Sequence, residues 1–338
     1  MDNLNDRNNK IMVTGGLGFI GSHFIDLALK KGYKVINVDK ITYASRKDLA
    51  YLDENENYKF IKKDICDLQN LPGDISYIVN FAAESHVDNS IANNIPFVKS
   101  NIQGVCNLLE LVRKTKKEKR PVFIQISTDE VYGDILNGSF TEKDKLSPSN
   151  PYSATKAAAD QLVMGWGRTY GIKYRICRSC NNYGYAQKAE KLIPKTMKLA
   201  WRGVKVGVHG NGQHKREWIY VGDNCEAIFF IVNKGEDGEI YNISTGVELT
   251  NIEVVKKVLK VVGRPEKFFD FVADRPGQDI RYSVNYEKIK SLGWKPKTTL
   301  DEYLPICKEQ NEIRRRSLPP GRKKRFLQLI GLGKIIKW

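Results

Sequence analysis

The chain has 338 residues, of which 41% are hydrophobic and 28% are charged. This is enough chain for one large domain or two merged ones, and the composition excludes an intrinsically disordered protein. No run of about 18 apolar residues could span a bilayer, and residues 1–10 lack the apolar core of a secretory signal. Six cysteines spread over this length are not a disulfide framework, so we predict a cytoplasmic protein.

The formal net charge is +16, and more than half of it lies in residues 313–338. This tail holds nine Lys and Arg residues and no acidic residue, whereas the rest of the chain holds 46 basic and 39 acidic side chains. The body is therefore only mildly basic. Such a body suits an anionic small-molecule ligand at least as well as a polynucleotide.

Strands alternate with helices through the first half of the chain. The predicted strands cover residues 10–13, 34–38, 58–61, 75–81, 121–126 and 173–177. The clearest helical patterns between them cover residues 19–31, 101–117 and 151–170. This alternation is typical of a parallel sheet with helices on both faces.

The pattern loosens beyond about residue 181. Short strands such as 204–208 alternate there with helices near 190–201, 221–232 and 250–262. We therefore predict an α/β fold, a Rossmann-type doubly wound parallel sheet with a smaller mixed α/β lobe at the C-terminal side. The predicted division is 1–180 for the sheet domain, 181–312 for the substrate lobe, interleaved with the first, and 313–338 for the tail.

A glycine-rich loop follows the first predicted strand. Gly15, Gly18 and Gly21 form G-x-x-G-x-x-G between that strand and a helix. Glycines there allow a tight turn and the close approach of a pyrophosphate, which the helix N-terminus then faces. Asp39 ends the next strand, where a carboxylate accepts hydrogen bonds from a ribose 2′-hydroxyl and repels a 2′-phosphate. The pattern predicts a site that prefers NAD to NADP; a purely structural glycine turn is the alternative.

Tyr152 and Lys156 lie four residues apart in a strong helical pattern, so they project from one face of the helix. The spacing is common by chance and also fits two core or surface residues. The chemistry that needs the pair is specific, because an adjacent ammonium and a cationic nicotinamide ring favour the phenolate of a tyrosine. A phenolate can accept a proton from an alcohol while a hydride leaves for NAD.

Two adjacent carboxylates, Asp129 and Glu130, follow Thr128 at the end of the strand before that helix. The carboxyl ends of strands are where open α/β sheets bind ligands. The pair is either a solvated turn, or an acid and a base whose environments separate their pKa values.

A series of short motifs extends from residue 12 to about residue 300. In chain order they are GGLGFIG, DKITYA, DIC, AAESHVD, STDEVYGD, PYSATKAAAD, NNYG, EKLIP, REWIYV, YNIS and ADRPGQD. The sequence thereby resembles the nucleotide-sugar 4,6-dehydratases of the extended short-chain dehydrogenase/reductase family, best known for members that act on dTDP-glucose. STDEVYGD joined to PYSATKA is the specific part, because relatives that only epimerise or reduce generally lack the Asp-Glu pair.

The resemblance implies a dehydration in three steps. Tyr152, assisted by Thr128 and Lys156, would take the proton from the sugar O4 while the C4 hydride passes to NAD. The 4-ketone acidifies the C5 hydrogen, which Glu130 would remove as base. Asp129 would protonate the departing C6 hydroxyl, and the hydride would return to C6. Elimination needs one base and one acid, and adjacent residues supply both only if one stays protonated.

The resemblance also implies binding positions. Besides the glycine loop, Tyr152 and Lys156, the cofactor is expected to contact Phe19, Ile20, Asp39, Lys40, Thr42, Asp64, Ile65, Ala82, Ala83, Ser100 and Asn182. The sugar nucleotide is expected to contact Ser85, Thr128, Asn181, Lys191, Leu192, Val208, His209, Arg216, Asn242, Arg275 and Gln278. Arginines suit this role because a guanidinium binds a diphosphate in bidentate fashion.

The sequence departs from the family pattern near the nucleobase and the sugar. Tyr185 and Ala186 stand where Pro-Tyr is usual, and residues 207–210 read Gly-Val-His-Gly where Pro-x-Tyr-Gly is frequent. Gln278 stands where bacterial members commonly have histidine, and His209 resembles relatives that act on UDP-glucose. The nucleobase, thymine or uracil, therefore stays open.

Metal binding is not expected. Cys177 and Cys180 form C-x-x-C, but no second pair has metal-site spacing, and the four histidines form no ligand set.

Two other functions compete with dehydration. The first is a nucleotide-sugar 4-epimerase or reductase of the same family, against which Asp129 and Glu130 argue. The second is a non-catalytic nucleic-acid-binding or membrane-binding protein, suggested by the charge. The complete catalytic set disfavours this second function, and we expect no nucleic-acid partner.

The expected protein partner is a second copy of the chain, because the family pairs through helices that correspond to 101–117 and 151–170. Small residues on the second helix would allow close approach; the stripe comprises Ala157, Ala158, Gln161 and Leu162.

The tail carries arginines and lysines on both sides of Pro319 and Pro320, followed by an apolar segment that ends in Trp338. Basic residues beside such a segment are typical of an interfacial membrane element. The apolar residues either fold back onto the body or make a weak contact with a membrane surface or a partner.

Overall fold

A computed structural model describes residues 9–46, 48–49 and 52–317. The residues of the tail from 318 onward, and with them Pro319, Pro320 and Trp338, lie outside the described residues. Within the described ranges, no helix has the length and apolar character needed to cross a membrane.

Twelve strands are formed by the described residues. They are β1 (Lys10–Thr14), β2 (Lys34–Asp39), β3 (Tyr58–Lys62), β4 (Tyr77–Asn80), β5 (Val122–Thr128), β6 (Tyr174–Ser179), β7 (Asn181–Tyr183), β8 (Val206–His209), β9 (Lys215–Tyr220), β10 (Glu239–Ile243), β11 (Glu248–Thr250) and β12 (Phe269–Val272). Seven of them form one sheet in the order β10-β6-β5-β4-β1-β2-β3, and every neighbouring pair is parallel. The predicted doubly wound parallel sheet is confirmed.

Ten α-helices accompany these strands in the described part of the chain. They are α1 (Phe19–Lys30), α2 (Val87–Ala92), α3 (Ile95–Phe97), α4 (Gly104–Lys114), α5 (Pro151–Tyr170), α6 (Leu192–Trp201), α7 (Val221–Lys234), α8 (Asn251–Val261), α9 (Glu287–Ser291) and α10 (Leu300–Ser317). The predicted helix 101–117 starts instead as a π-helix, Val98–Gln103, and becomes regular only at Gly104. The first residues of the predicted tail, 313–317, belong to α10.

The sheet has an apolar core on each face, because side chains of a strand alternate between its two faces. Ile11 and Val13 of β1 pack with the residues of α1 and α7, whereas Met12 packs on the other face with the residues of α4 and α5. Helices therefore cover both faces of the sheet, and the central strands β1, β4 and β5 are almost entirely buried. This is why the site must form at an end of the sheet and not on a face.

The second half of the chain contributes both to this sheet and to a lobe of its own. β10 pairs with β6 at the sheet edge, and α7 packs against α1. The remainder forms a three-stranded sheet, β11-β9-β7, and a parallel pair, β12-β8. A separate core of α6, α8 and α10 supports this lobe.

Candidate active site

A cleft of about 380 Å³ opens at the carboxyl ends of the central strands, between the large sheet and the smaller lobe. Twenty of the residues predicted from the sequence line it: Gly15, Gly18, Phe19, Ile20, Gly21, Ala83, Ser85, Thr128, Glu130, Tyr152, Lys156, Asn181, Asn182, Lys191, Leu192, Val208, His209, Arg216, Arg275 and Gln278. Residues from both halves of the chain therefore meet in one cavity.

The glycine loop is shaped by its neighbours in the sheet. Gly15 has a φ of +66°, and a Cβ atom there would lie 2.6 Å from the backbone nitrogen of Ala82. α1 begins directly after Gly18, and no described side chain caps its first turn. The amides of that turn are thus available to an anion, and the loop fits the pyrophosphate of a dinucleotide.

Asp39 lies beside this loop but outside the cleft lining. Its carboxylate accepts hydrogen bonds from the backbone N–H of Leu17, at 3.0 Å, and of Ile41, at 2.7 Å. Burial raises the pKa of Asp39, while these two hydrogen bonds act against that rise. Each carboxylate oxygen keeps a further lone pair, so the side chain is held in place and can still accept from a ribose hydroxyl.

Lys40, directly after β2, connects the segments that follow β3 and β4 with the π-helix. Its Nζ atom donates to the Ser100 hydroxyl at 3.1 Å and lies 3.5 Å from Asp64 and 3.9 Å from Glu84. Three other predicted cofactor positions lie near this end of the sheet without lining the cleft: Thr42, Ile65 and Ala82. This group forms the outer wall where the sequence places the adenosine.

Tyr152 and Lys156 are both buried on one face of α5. The helix starts with Asn150 as its N-cap, whose side chain accepts from the N–H of Ser153, so the register of the pair is fixed locally. Lys156 Nζ donates to the carbonyl of Ile126 at 2.6 Å. Burial lowers the pKa of Lys156 to about 8, so its ammonium persists at neutral pH.

Tyr152 is a neutral phenol in the protein alone. Burial, followed by the charges of Glu130 and Asp129, raises the pKa of Tyr152, while a hydrogen bond with Thr128 opposes this rise. The phenolate expected from the sequence therefore needs the positive charge of a bound nicotinamide ring as well as Lys156.

Asp129 and Glu130 are not a solvated turn. β5 ends at Thr128, and a 3₁₀ turn over Asp129–Tyr132 carries both carboxylates inward. Asp129 is 2% exposed and accepts from the Thr128 hydroxyl at 3.1 Å, whereas its other oxygen has no hydrogen-bond partner among the described residues. Burial, and then the charges of Glu130 and Glu217, raise the pKa of Asp129 well above its usual value.

Glu130 experiences a different environment although it is the next residue. It lines the cleft, and burial raises its pKa while the nearby cations Lys191 and Arg216 oppose that rise. The pKa of Asp129 is therefore raised well above its usual value, whereas cations limit the rise for Glu130, which is the direction of separation that an acid and a base require. Glu217, buried on β9 with its pKa raised by burial to about 7, contributes to this separation and was not identified from the sequence.

The cations on the substrate side are currently bound to protein oxygens. Arg216 donates to the backbone carbonyls of Asp279, at 2.7 Å, and Lys215, at 2.7 Å, and lies 4.0 Å above the ring of Tyr282. Lys191 donates to the carbonyl of Ser85 at 3.0 Å, across the cleft.

Arg275 also reaches across the cleft, where its Nε atom lies 3.0 Å from Asp88 on α2. His209 contacts the carbonyl of Ala273 at 3.0 Å through Nδ1, which fixes its ring at the cleft wall. These contacts come from loops and lobes that are far apart in sequence.

The structure does not bring Asn242 to the cleft. The residue is fully buried, and its amide group bonds to the Tyr132 hydroxyl at 2.9 Å and to the carbonyls of Phe140 and Asn285. Both amide hydrogens and one lone pair of the amide oxygen are used within the protein. Asn242 therefore supports the turn that carries Asp129 and Glu130 and does not line the cleft.

Cleft residues that the sequence analysis did not select include His86, Asn150, Trp218 and Tyr282. Three of them had visible signals, because His86 lies in AAESHVD, Asn150 precedes the Tyr-Lys helix, and Trp218 lies in REWIYV. Tyr282 carried no motif, and only the packing of its ring on Arg216 shows its place.

Residues 12–306 match the family model described as GDP-mannose 4,6 dehydratase. The low-salt glycan biosynthesis protein Agl12 of Haloferax volcanii is 46% identical over 302 residues, which cover 88% of this chain and 96% of that protein. A trifunctional enzyme of Arabidopsis thaliana, named first as a UDP-glucose 4,6-dehydratase, is 40% identical over 90% of this chain and 47% of its own length.

The crystal structure of DesIV, a dTDP-glucose 4,6-dehydratase from Streptomyces venezuelae with NAD and TYD bound, superposes with a TM-score of 0.87. It is 38% identical and covers 92% of this chain and 99% of its own.

Proposed function

The chain belongs to the family described as GDP-mannose 4,6 dehydratase, and we propose that it converts a nucleoside-diphosphate glucose to the 4-keto-6-deoxy sugar nucleotide. The observation that carries this proposal is the unequal environment of two adjacent carboxylates, Asp129 and Glu130, in the cleft of Tyr152 and Lys156. Alcohol oxidation alone needs only the tyrosine and the lysine. A separated acid and base are what the elimination of water requires in addition.

NAD is the cofactor that the glycine loop, Asp39 and the uncapped start of α1 fit, and when bound there it would supply the reversible transfer of a hydride between C4 and C6 of the sugar. Tyr152 removes the proton from the sugar O4. The ammonium of Lys156 lowers the cost of the phenolate, and the hydrogen bond with Thr128 acts in the same direction. To donate to the phenolate, the Thr128 hydroxyl turns its single proton away from Asp129. The buried position of all three residues excludes bulk water from this proton transfer.

Glu130 then removes the C5 proton, which the C4 ketone has made acidic. Lys191 and Arg216 favour its carboxylate form, so that it is ready to act as a base. Asp129, which burial holds in the acid form, donates its proton to the departing C6 hydroxyl. One proton is taken and one is given, so the elimination of water balances. The return of a hydride to C6 then needs a proton at C5, which the protonated Glu130 gives back.

The same cleft argues against the 4-epimerase or reductase alternative. Those reactions require no acid beside the base, whereas keeping a partnerless carboxyl oxygen of Asp129 buried costs stability. The non-catalytic alternative is disfavoured because the catalytic side chains and the cofactor loop meet in one cavity.

The nucleobase is proposed as thymine or uracil. Gly207, Val208 and His209 line the end of the cleft in place of the more usual Pro-x-Tyr-Gly segment. A relative named for dTDP-glucose is 38% identical in sequence and one named for UDP-glucose is 40% identical, so both substrates belong in the test.

We expect a cytoplasmic homodimer. Of the stripe expected from the sequence, Gln161 is exposed and Ala157 is buried, while Ala158 and Leu162 are half-buried. The small residues Ala154 and Gly165 are also exposed on α5, so another helix could approach this face. Sedimentation that shows only monomer at micromolar concentration would contradict the dimer.

We propose that the tail interacts weakly with an anionic membrane surface or a partner, because it combines basic residues with an apolar segment. Deletion of residues 318–338 should leave the dehydratase activity intact and abolish sedimentation with anionic liposomes at low salt. Equal sedimentation of both forms, or collapse of activity, would favour a tail packed on the body.

The function is tested by incubating the purified protein with dTDP-glucose or UDP-glucose, without added NADH, and measuring the absorbance of the 4-keto product in alkali. Product with either nucleotide supports the proposal and identifies the base. Asp129→Asn is the matched control, because it keeps the oxidation residues and removes only the proposed acid. A 4-epimer in place of the keto sugar would overturn the proposal.

A further inference from the structure

A buried ion pair lies one helical turn beyond Lys156 and is not used by the mechanism above. Asp160 follows Lys156 by four residues on α5, as Lys156 follows Tyr152, so the three side chains share one face of the helix. Asp160 is 0% exposed and Arg178, its partner on β6, is 1% exposed. A fully buried carboxylate without a partner would strongly destabilise the protein. The presence of this buried ion pair beside Lys156 therefore needs a physical reason.

The carboxylate is held from one side only. Its Oδ2 atom accepts from Arg178 Nε at 2.9 Å and from the hydroxyl of Ser127 on β5 at 3.0 Å. Its Oδ1 atom has no hydrogen-bond partner in the described part of the chain. A pair that served packing alone would satisfy both oxygens, because a buried polar atom without a partner costs stability.

Lys156 does not form an ion pair with this carboxylate. Its ammonium donates to the carbonyl of Ile126, and its remaining N–H groups are free to serve Tyr152 and a bound cofactor. Asp160 can therefore act on Lys156 through its electric field without occupying those donors. In a buried environment such a field is much stronger than in water.

The ionisable groups around Lys156 show why a counter-charge is needed. Arg178 adds a second buried cation on β6, and the neutral hydroxyl of Tyr132 accepts a hydrogen bond from it at 2.7 Å. Cys177 on β6 is a buried thiol whose pKa is raised by burial. Asp129 and Glu130 raise the pKa of Tyr152, as described above, and Asp160 raises it to a smaller extent. Burial raises the pKa of Asp160 itself, and the cations Arg178 and Lys156 oppose that rise.

The other elements packed on α5 bring no further charge to this place. The π-helix faces α5 through Asn101, which donates to the hydroxyl of Thr155. α3 faces it through Phe97, next to the ring of Tyr152. α4 places Glu110 against Trp166, ten residues or about 15 Å along α5 from Lys156. On α2, Asp88 is paired with Arg275.

We infer that Asp160 is a positioning residue for the oxidation step, which keeps Lys156 a cation, and that Arg178 and Ser127 hold its carboxylate in place. The role of Lys156 in oxidation rests on the proposed function. The effect of Asp160 on the charge of Lys156 does not depend on that function. Burial lowers the pKa of Lys156, and Asp160 is the charge that opposes this effect. Without Asp160 the lysine loses its proton at a lower pH, and Tyr152 loses the cation that makes its phenolate accessible.

The test follows the charge of Lys156 directly. The protein is labelled with ¹³C-lysine, the Lys156 ε-methylene signal is assigned with Lys156→Arg, and its titration is followed without substrate. We expect a midpoint near the pKa of about 8 in the wild-type protein, and a midpoint lower by about one pH unit or more in Asp160→Asn. An unchanged midpoint in Asp160→Asn would overturn the inference.

Asp160→Asn leaves Arg178 buried without its partner, so the single variant can lose stability for a structural reason. The double variant Asp160→Asn/Arg178→Met removes both charges and serves as the control. We expect it to recover thermal stability. Because Arg178→Met removes a buried cation as well, the Lys156 midpoint of the double variant should lie between those of Asp160→Asn and the wild-type protein. If thermal stability recovers and the midpoint is unchanged in both Asp160→Asn and the double variant, the pair is only structural.

The two hypotheses fail separately. If the wild-type protein forms no keto sugar but the Lys156 midpoint still falls in Asp160→Asn, the proposed function is wrong and the electrostatic role stands. If turnover is present and the midpoint does not move, only the role of Asp160 is wrong.

Discussion

The two sides of the cleft are built in different ways. On the cofactor side, Gly15 and Asp39 are fixed by the backbone of adjacent strands and by the loop between them. On the substrate side, Lys191 and Arg275 are held by oxygens on the opposite wall of the cleft. The first side is fixed without a ligand, whereas we expect the second to exchange these protein partners for ligand partners. A diphosphate at Arg275 would then compete with Asp88.

The largest expected effect is on the first chemical step, at the boundary of the two sides. Tyr152→Phe removes the only hydroxyl that we propose to accept the O4 proton, so turnover should fall by about 10³-fold or more. Stopped-flow absorbance should show no reduced nicotinamide after mixing with substrate.

Tyr170→Phe is the matched control, since Tyr170 is exposed at the end of the same helix. It should react at the wild-type rate. A Tyr152→Phe variant that still reduces the cofactor would mean that another group accepts the proton.

A smaller loss is expected from the elimination pair. Glu130→Gln should reduce product formation by about 10²–10³-fold and stop the exchange of the C5 hydrogen with deuterated water, while cofactor reduction continues. Mass spectrometry of the recovered substrate measures the exchange.

Asp129→Asn should still exchange the C5 hydrogen but release no water, because it keeps the base and loses the acid. If exchange persists in Glu130→Gln and stops in Asp129→Asn, the two roles are reversed.

The substrate side should respond in binding more than in rate. Arg275→Met should raise KM by about 10–100-fold with a smaller change in kcat, because a charged hydrogen-bond donor to the diphosphate is lost. Asp88→Asn should leave KM unchanged or lower it, since it frees Arg275 from its present partner. Steady-state kinetics measure both variants.

Arg168→Met, on the exposed end of α5, is the control for loss of one positive charge. If its KM rises as much as that of Arg275→Met, the effect is a general one of net charge. A raised KM in Asp88→Asn would mean that Asp88 orients Arg275 for the ligand and does not compete with it.

The cofactor side should respond in stability. Gly15→Ala forces a side chain into a left-handed conformation and against the backbone of Ala82, which we expect to cost about 3 kcal/mol of the free energy of unfolding. Gly32→Ala also forces a side chain into a left-handed conformation, but nothing lies within 4 Å of its Cβ position. This variant should therefore lose only about 1 kcal/mol of the free energy of unfolding. Denaturant titration measures both, and equal losses would show that the contact with Ala82 relaxes.

The predictable parts of this protein were those with a local cause. The spacing of Tyr152 and Lys156 places them on one helix face whatever surrounds them, and the glycine pattern needs only the strand before it and the helix after it. The parallel sheet followed from strands that alternate with helices. The start of the predicted helix 101–117 was wrong, since the π-helix at Val98–Gln103 leaves no signal in hydrophobic spacing.

Charge environments, by contrast, were decided only by the packing of distant segments. Asp129 and Glu130 are neighbours in sequence, yet the carboxyl of Asp129 is buried near the carboxyl of Glu217, whereas that of Glu130 lies near the ammonium of Lys191. The resemblance to the family implied that Asn242 contacts the ligand, whereas in the structure its side-chain amide forms hydrogen bonds within the protein. Burial and electric fields depend on atoms brought together across 50 or more residues, as the bond between Asn242 and Tyr132 illustrates. No local pattern records them, because they exist only once the chain is packed.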